Sequence, residues 1–193
     1  ENRNGSIGLP LPDVDCRIVD LEDDSREVAT GGEGELLIRS PQIMKEYFLN
    51  PAETTAVLKD GWLHTGDIAR MDQDGYFYIV GRRKELIKVN GLQVWPREIE
   101  EVVHKYPGVK EVAAAGVPDA DSGEAVKAWL VVDSSGSFDM QNLAGFCRKS
   151  LAGYKIPKEV EIVQELPKSP VGKVLRRELV RMHEEGKKNR ERS

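Results

Sequence analysis

The chain has 193 residues, of which 39% are hydrophobic and 32% charged, and its formal net charge is -5. This length allows one large domain or two small ones. The negative charge argues against nucleic acid as a partner, because such binding usually needs a broad basic face. No apolar run approaches the roughly 20 residues of a membrane span and no leader is visible, which predicts a cytoplasmic protein.

The two cysteines and three histidines form no cluster in the sequence. Cys16 and Cys147 lie far apart and have no partner at the spacing of metal ligands. We therefore expect buried, reduced thiols and no metal site. The first residue is Glu1 rather than Met, so we expect the chain to be part of a longer protein.

Residues 1–80 have the pattern of a mainly β structure. Three runs have the composition of strands, and glycines lie between the first two: CRIV, ELLIRS and DQDGYFYIV. Between them, PAETTAVLKDG predicts one short helix, because Pro51 stands near its start and Gly61 just beyond its end. This half is typical of a small barrel or sandwich.

After Gly81 the pattern changes to alternating helices and strands. PREIEEVVHKYPG predicts a helix that begins at Pro96, and DMQNLAGFCRKSL predicts another that is capped by Asp139. EVAAAGV, AVKAWLVVD and EVEIV have the composition of strands. A last helix is predicted to bury Leu175, Leu179 and Met182. Together, these helices and strands predict that residues 85–183 form a compact α/β unit.

Two charged segments border this unit. Residues 81–84, within GRRKE, stand where a strand ends and the pattern changes, which predicts a solvated linker that can act as a hinge. A rigid linker is the alternative that composition leaves open. Residues 184–193 form a charged tail that we expect to be disordered.

The segment ELPKSPVGKVLRREL presents Lys173 after a glycine in a proline-rich loop. It is not a phosphate-binding P-loop, because Pro167 and Val174 stand where that motif needs glycine and Ser or Thr. Between residues 168 and 181 the chain has one acid, Glu178, and five basic residues, Lys168, Lys173, Arg176, Arg177 and Arg181. The segment suits one small anionic ligand, and an ordinary solvated loop remains the alternative.

Three segments together resemble the successive late motifs of a known family: GWLHTGD (61–67), GRRKELIKVNGLQVWPREIE (81–100) and LPKSPVGKVLRREL (166–179). They match, in order and at suitable spacing, the adenylate-forming superfamily of acyl-CoA synthetases, adenylation domains and luciferases. Within it, SGEAVK, FCRKSLAGYKIPK and GSIGLPLP are most similar to the long-chain fatty-acyl-CoA ligases.

The resemblance implies an α+β chain with two parts. Residues 1–80 would be the end of a β-barrel-like subdomain of a large domain, and residues 85–183 a small, mobile α/β domain with a short sheet flanked by helices. The function implied is that of a ligase that joins a fatty acid to coenzyme A, with ATP and Mg²⁺, through an acyl-adenylate. Its partners would be these substrates and the remainder of its own large domain; the oligomeric state stays open.

The resemblance also implies roles for six residues. Asp67 and Arg82 would bind the nucleotide, and Lys84 would be the hinge residue. Lys173 would be the catalytic lysine of adenylation. In the second step, Gly91 would lie at the coenzyme A channel, and Lys88, beside it, would be a second catalytic residue. Arg83 has no implied role and reads as a solvated charge, and His64 reads as structural.

Two other classes of function remain open from the sequence. The first is another adenylate-forming ligase, specific for aryl or medium-chain acids or dependent on a carrier protein. The second is a non-catalytic module that binds an anion, or anionic lipid, through residues 168–181. We expect the 193-residue chain by itself to have no ligase activity.

Overall fold

The structure is a computed structural model that describes residues 3–133 and 136–191. The chain divides into two compact units, Glu1–Lys84 and Glu85–Ser193. The division falls at the end of the segment 81–84, whose hinge role stays a prediction. Lys84 itself is exposed and lies in a single 3-10 turn, Arg83–Glu85.

The first unit is a five-stranded antiparallel sheet. Its strands are β1 (Asp15–Val19), β2 (Gly34–Arg39), β3 (Leu58–Lys59), β4 (Trp62–Met71) and β5 (Phe77–Arg82), and one short helix, α1 (Pro51–Val57), precedes β3. The predicted helix and strands are present, but residues 62–67 of β4 and the short strand β3 were not predicted as strands. The described residues form an open sheet, with β1, β2 and β4 side by side and both β3 and β5 on the far edge of β4.

The second unit is a five-stranded mixed sheet with helices on both faces. Its strands are β6 (Ile87–Val89), β7 (Leu92–Val94), β8 (Val109–Asp119), β9 (Gly123–Val132) and β10 (Glu159–Ile162), and its helices are α2 (Pro96–Val103), α3 (Met140–Cys147) and α4 (Arg176–Glu191). Strand β10 runs parallel to β9, whereas β8 runs antiparallel to it. The expected α+β fold is confirmed.

Strand β9 explains how one sheet serves two cores. Val126, Ala128 and Leu130 pack against α2 and α3, while Trp129 packs on the opposite face with Leu179 of α4. Because side chains alternate across a strand and both faces are covered, the run AVKAWLVV is apolar almost throughout. This packing fixes α2 and α4 on opposite faces of the sheet.

Helix α4 differs from its prediction in two ways. It continues through Glu191, so residues 184–191 are helical rather than a disordered tail, and 192–193 lie outside the described residues. Among the residues of α4 up to 188, the buried side chains are Leu179 and His183, one turn apart, whereas Leu175 is 43% and Met182 is 54% exposed. The prediction counted apolar residue types only and therefore missed a buried histidine.

The buried His183 forms a hydrogen bond with a buried lysine of β9, Lys127. Lys127 Nζ lies 2.8 Å from His183 Nδ1 and 2.7 Å from Glu161 Oε2. An ammonium group can only donate, so Nδ1 must accept and the proton of the neutral ring is on Nε2. This Nε2 is buried and has no partner among the described residues. Burial and the neighbouring Lys127 cation lower the pKa of His183.

No helix within the described ranges combines the length and apolar character needed to cross a bilayer.

Candidate functional site

The segment His64–Asp67 forms an irregular bulge in β4. Glu35 of β2 lies opposite Ile68, and Leu37 lies opposite His64, so β4 has two more residues than β2 between these pairs. Such an insertion bends the strand and turns side chains out of the regular alternation. Gly66 has a φ of 69°, a left-handed conformation that glycine adopts without strain. The bulge therefore explains why a glycine precedes Asp67.

Hydrogen bonds within the bulge fix the backbone at Asp67. The Thr65 hydroxyl donates to the carbonyl of Leu36 at 2.7 Å and accepts from the amide of Asp67 at 3.0 Å. The amide of Gly66 donates to Glu35 Oε1 at 3.1 Å. Since the bulge interrupts the ladder between the strands, these side chains supply the partners that the backbone groups would otherwise lack.

Asp67 and Arg82 lie side by side across β4 and β5. They are opposite each other in the register, and Arg82 Nε is 2.8 Å from Asp67 Oδ1. Their side chains are 24% and 41% exposed, so both reach solvent. No further partner of the Asp67 carboxylate is found among the described residues. Two of the predicted site residues are thus brought together, with one carboxylate oxygen left to bind a ligand.

The buried carboxylate of Glu35 stabilises the backbone next to this pair, because it accepts a hydrogen bond from the amide of Gly66. The Glu35 side chain is only 4% exposed, and Arg83 Nη1 donates to its Oε2 at 2.6 Å. His64 Nδ1 lies 3.7 Å from the same oxygen, consistent with its expected structural role. A second bond from Arg83 Nη2 reaches the carbonyl of Leu21 at 2.6 Å. The Arg83 side chain is 48% exposed, as expected of a solvated charge, but it also pairs with the buried Glu35, which the sequence reading did not predict.

In the second unit, Lys88 and Gly91 lie on one hairpin. Strands β6 and β7 are joined by Asn90 and Gly91, whose φ angles are 52° and 78°. Positive φ at both central residues is what a two-residue hairpin of type I′ requires, and Asn-Gly is its preferred sequence. The geometry of the turn is therefore enough to explain why a glycine stands at position 91. The side chain of Lys88 is exposed between the buried residues Ile87 and Val89.

The neighbouring turn fastens this hairpin. The amide of Lys88 donates to Glu124 Oε2 at 2.7 Å, and the amide of Asn90 donates to the carbonyl of Ser122 at 2.9 Å. Gly116 allows this arrangement, because a Cβ there would stand 2.8 Å from Glu124 Oε1. The tip of the hairpin is open, since a Cβ at Gly91 would meet nothing within 4 Å.

Lys173 directly follows the turn of a second hairpin. The amide of Gly172 donates to Ser169 O at 2.8 Å, and the amide of Ser169 donates to Lys173 O at 2.8 Å. Gly172 has a φ of 79°, and Pro170 stands at the first central position. This is the pattern of a turn closed by a left-handed glycine, in which the proline and the glycine each fit their positions.

The ammonium group of Lys173 is, with the guanidinium of Arg177, one of two cations of the basic segment that have no acidic partner among the described residues. Its side chain is exposed, and no acid or hydrogen-bond acceptor for Nζ is found among the described residues. Lys168, by contrast, pairs with Glu111 at 2.5 Å, and Arg181 pairs with Glu178 and Glu185. The hairpin thus presents one free cation on a backbone that its own hydrogen bonds hold.

Arg176, at the start of α4, is bound to two acids. Its Nη2 donates to Glu100 Oε2 at 2.8 Å, its Nε donates to Glu100 Oε1 at 3.2 Å, and its Nη1 donates to Glu85 Oε2 at 3.2 Å. Burial alone would lower the pKa of Arg176, but the hydrogen bonds that it donates to Glu100 and the charges of both acids outweigh this effect and raise the pKa. From the sequence, Arg176 was expected to anchor the loop or to meet acids of the large domain; both of the acids that it binds lie in the second unit.

Two acids, the buried Glu35 and the half-buried Glu100, were missed by sequence reasoning. Glu35 stands in the apolar run GELLIR and Glu100 in the helix PREIEEVV, and neither was singled out from the sequence. An acid inside an apolar strand was a usable signal for Glu35, because such positions are rarely charged unless they are paired. The pattern of α2 contained no such signal for Glu100.

Across the described ranges 3–133 and 136–191, no three His, Cys, Asp or Glu side chains converge as a metal-binding group.

The chain is similar to known proteins over most of its length. Residues 98–173 match the family model "AMP-binding enzyme C-terminal domain", and residues 1–48 match "AMP-binding enzyme". A long-chain-fatty-acid–CoA ligase of Escherichia coli O157:H7 is 54% identical over 176 residues, which are 91% of this chain and 31% of the relative. The chain therefore spans about a third of the length of the curated relatives it matches.

Solved structures agree with these matches. ATP-bound MatB from Rhodopseudomonas palustris aligns with a TM-score of 0.87 at 36% identity, over 93% of this chain and 36% of that one. The o-succinylbenzoate CoA synthetase of Bacillus subtilis, in complex with its acyl-adenylate intermediate, aligns with a TM-score of 0.84 at 32% identity, over 91% of this chain and 35% of that one.

Proposed function

The chain belongs to the family of AMP-binding, adenylate-forming enzymes, and we propose that the full-length protein is a long-chain-fatty-acid–CoA ligase. In the first step, a carboxylate oxygen bonds to the α-phosphorus of ATP as the bond to the β-phosphate oxygen breaks, and pyrophosphate leaves. In the second step, the sulfur of coenzyme A bonds to the acyl carbon, the bond to AMP breaks, and the thiol proton is lost.

The observation that carries the proposal is the exposed ammonium of Lys173 on its hydrogen-bonded hairpin. A carboxylate and a phosphate repel each other as they approach, and negative charge grows on the phosphate oxygens in the transition state. A cation that is already held in place offsets both effects, and it needs no reorganisation at the moment of reaction. Lys173 fits this role because no acid among the described residues competes for its charge.

Asp67 and Arg82 support binding of the nucleotide in the same scheme. A carboxylate can accept hydrogen bonds from both hydroxyls of a ribose, and the free oxygen of Asp67 is suited to this. Arg82 holds the other oxygen at 2.8 Å and is exposed enough for its remaining donors to reach ribose or phosphate. The bulge of β4 gives the carboxylate a fixed position.

The second step is assigned to the β6–β7 hairpin. Its tip at Gly91 is bare backbone with open space around it, which suits close approach of a thiol and its pantetheine arm. Lys88 adds an exposed cation on the same hairpin. We propose that Lys84, in the exposed turn at the end of the first unit, is the hinge whose backbone torsions change between the two steps. The rotation would place the Lys173 hairpin at the reacting groups in the first step and the β6–β7 hairpin there in the second.

ATP is expected to arrive with Mg²⁺, but the residues described here offer no group of ligands that fits the ion. We therefore derive no step that depends on Mg²⁺ from this chain.

A non-catalytic module that grips a polyanion is favoured less by the structure. Three of the five cations between 168 and 181 have acidic partners within the same unit, namely Lys168, Arg176 and Arg181. Lys173 and Arg177 remain for a partner, which is little charge for binding a polymer or an anionic lipid surface. Peripheral contact with a membrane, like the inactivity of the 193-residue chain by itself, stays a prediction.

The proposal is tested in the full-length protein with Lys173→Ala. We expect ATP–pyrophosphate exchange with a long-chain fatty acid to fall by about 10²- to 10³-fold. Thioester formation from supplied acyl-adenylate should be largely retained, because that step does not need the adenylation cation. Lys168→Ala is the matched control, since it removes another lysine of the segment and an exposed pair worth under about 1 kcal/mol. An equal loss of both half-reactions would contradict the assignment.

A further inference from the structure

We propose that Arg176 is a positioning residue for Lys173, because the two acids that bind Arg176 hold the point at which the Lys173 hairpin joins its unit. The inference deepens the proposed function, since it concerns how the adenylation cation is held. Arg176 itself touches no reacting group in this scheme.

The hairpin is closed at a defined base. The amide of Leu175 donates to the carbonyl of Pro167 at 2.8 Å, and Lys168 pairs with Val174 across the hairpin. Buried side chains stand on both sides of this base, with Leu166 at 4% and Leu179 at 2% exposure. Arg176 is the residue directly after the base, so the place of its guanidinium sets the direction in which the hairpin leaves the core.

Three parts of the second unit meet at this guanidinium. Glu100 binds it from α2 with both oxygens, and Glu85 binds it from the residue that follows Lys84. Glu100 Oε1 also accepts from the amide of Ala114 in β8 at 2.8 Å, which fixes the carboxylate in turn. A bidentate hydrogen-bonded contact between arginine and carboxylate is directional as well as strong. The base of the hairpin is thereby tied to α2, β8 and the end of the linker.

The local sequence is unfavourable for a helix, which points to a role beyond helix formation. Arg176 and Arg177 open α4, where the helix dipole favours acids rather than cations. The side chain of Arg176 is only 20% exposed, so its charge is also partly removed from water. Such local conflicts with propensity concentrate where a residue serves a site.

A merely structural role for Arg176 predicts different behaviour. If it only fastened α4 to the unit, its loss would lower the stability and both half-reactions together. Lys155 provides the matched comparison, because its ammonium binds both oxygens of Glu98 at 2.8 and 2.7 Å. Its side chain is also 20% exposed, and Glu98 lies on α2, the helix that carries Glu100. Lys155 lies outside the Lys173 hairpin.

The experiment compares Arg176→Met, Arg176→Lys and Lys155→Met in the full-length protein. We expect Arg176→Met to lower kcat of ATP–pyrophosphate exchange by about 10- to 100-fold, since a misplacement on the order of 1 Å can cost that much. KM for ATP and thioester formation from supplied acyl-adenylate should stay within about threefold. Arg176→Lys keeps the charge but not the bidentate contact, so it should fall between Arg176→Met and the unmodified protein.

The inference is overturned if Arg176→Met and Lys155→Met lower exchange equally, or if both half-reactions of Arg176→Met fall together. Should Arg176→Met fail to fold, Arg176→Lys and Glu100→Gln take its place. In each of them, a loss of ATP–pyrophosphate exchange with thioester formation retained supports the inference, and an equal loss of both overturns it. Lys173→Ala in the same assay separates this inference from the proposed function. An active Lys173→Ala refutes the catalytic assignment, whereas an inactive Lys173→Ala beside an unimpaired Arg176→Met refutes only the positioning.

Discussion

The two units hold their candidate site residues in different ways. In the first unit, Asp67 is already paired with Arg82, and a buried carboxylate, Glu35, lies beneath the bulge that carries it. In the second unit, the Lys173 ammonium has no partner among the described residues, and the support is at the base of its hairpin rather than at the tip. The candidate site of the first unit is therefore an ion pair, Asp67 with Arg82, whereas that of the second unit is a cation, Lys173, without a partner among the described residues.

This difference matches the tasks proposed for the two regions. A group that binds a ribose can keep a fixed partner through the whole reaction, so a pair built into a sheet is suitable. A cation that must reach two anions in one step and leave in the next should have no permanent partner. Each unit then has one ion pair that fixes backbone rather than substrate, Arg83 with Glu35 and Arg176 with Glu100.

The largest stability effects should be confined to one unit each. Ile68 of the first unit and Ile99 of the second are fully buried, and truncation of either to alanine should cost about 2–5 kcal/mol. We expect Ile68→Ala to speed hydrogen exchange in β4 and Ile99→Ala to speed it in α2 and β8. Acceleration of exchange in both units by either variant would show that the two regions unfold together and would break the comparison.

Loss of Arg83 should weaken the support of Asp67. Arg83→Met leaves the buried Glu35 carboxylate without its cation, and we expect a cost of about 1–3 kcal/mol. Faster hydrogen exchange of the Gly66 amide, which donates to Glu35, reports the effect directly. The control is Arg26→Met, because Arg26 is 69% exposed where it binds Asp20 and its pair should contribute under about 1 kcal/mol. Equal effects of the two variants would mean that Glu35 does not depend on Arg83.

The β6–β7 hairpin tests whether its turn is a structural requirement. Gly91→Ala places a side chain at a φ of 78° and should destabilise the second unit by about 1–2 kcal/mol, although the space is open. Gly145→Ala is a control of opposite sign, because Gly145 lies inside α3 with nothing within 4 Å of a new Cβ. It should stabilise the unit by about 0.5–1 kcal/mol. Denaturant unfolding measures both, and a stable Gly91→Ala would contradict the turn assignment.

The smallest effect concerns pH in the second unit. Burial and Lys127 lower the pKa of His183 below its ordinary 6.5, while Glu159 and Glu161 oppose this and Lys187 adds to it. The unfolded chain therefore binds more protons than the folded one as the pH falls below 6.5, and stability decreases in that range. His183→Gln should flatten this dependence in denaturant unfolding between pH 5 and 7, the range around that ordinary pKa. An unchanged slope would show that another group is responsible.

Much of the local structure could be predicted from sequence. Pro96 and Asp139 placed α2 and α3, and the compositions of CRIV, ELLIRS and EVEIV placed three strands. Residues 62–67 of β4 were missed because WLHTGD does not alternate regularly where the bulge inserts two residues. The helix beyond residue 183 was missed because its charged composition resembles that of a disordered segment.

Sequence by itself determined most of the helices and strands, the turn glycines and the family motifs, because these depend on neighbours within a few residues of one another. Tertiary structure decided which charges are free. Arg83 meets Glu35 across 48 positions, and Arg176 meets Glu100 across 76 and Glu85 across 91. Whether a lysine or an arginine keeps its charge for a ligand depends on such distant acids, and no local pattern contains that information.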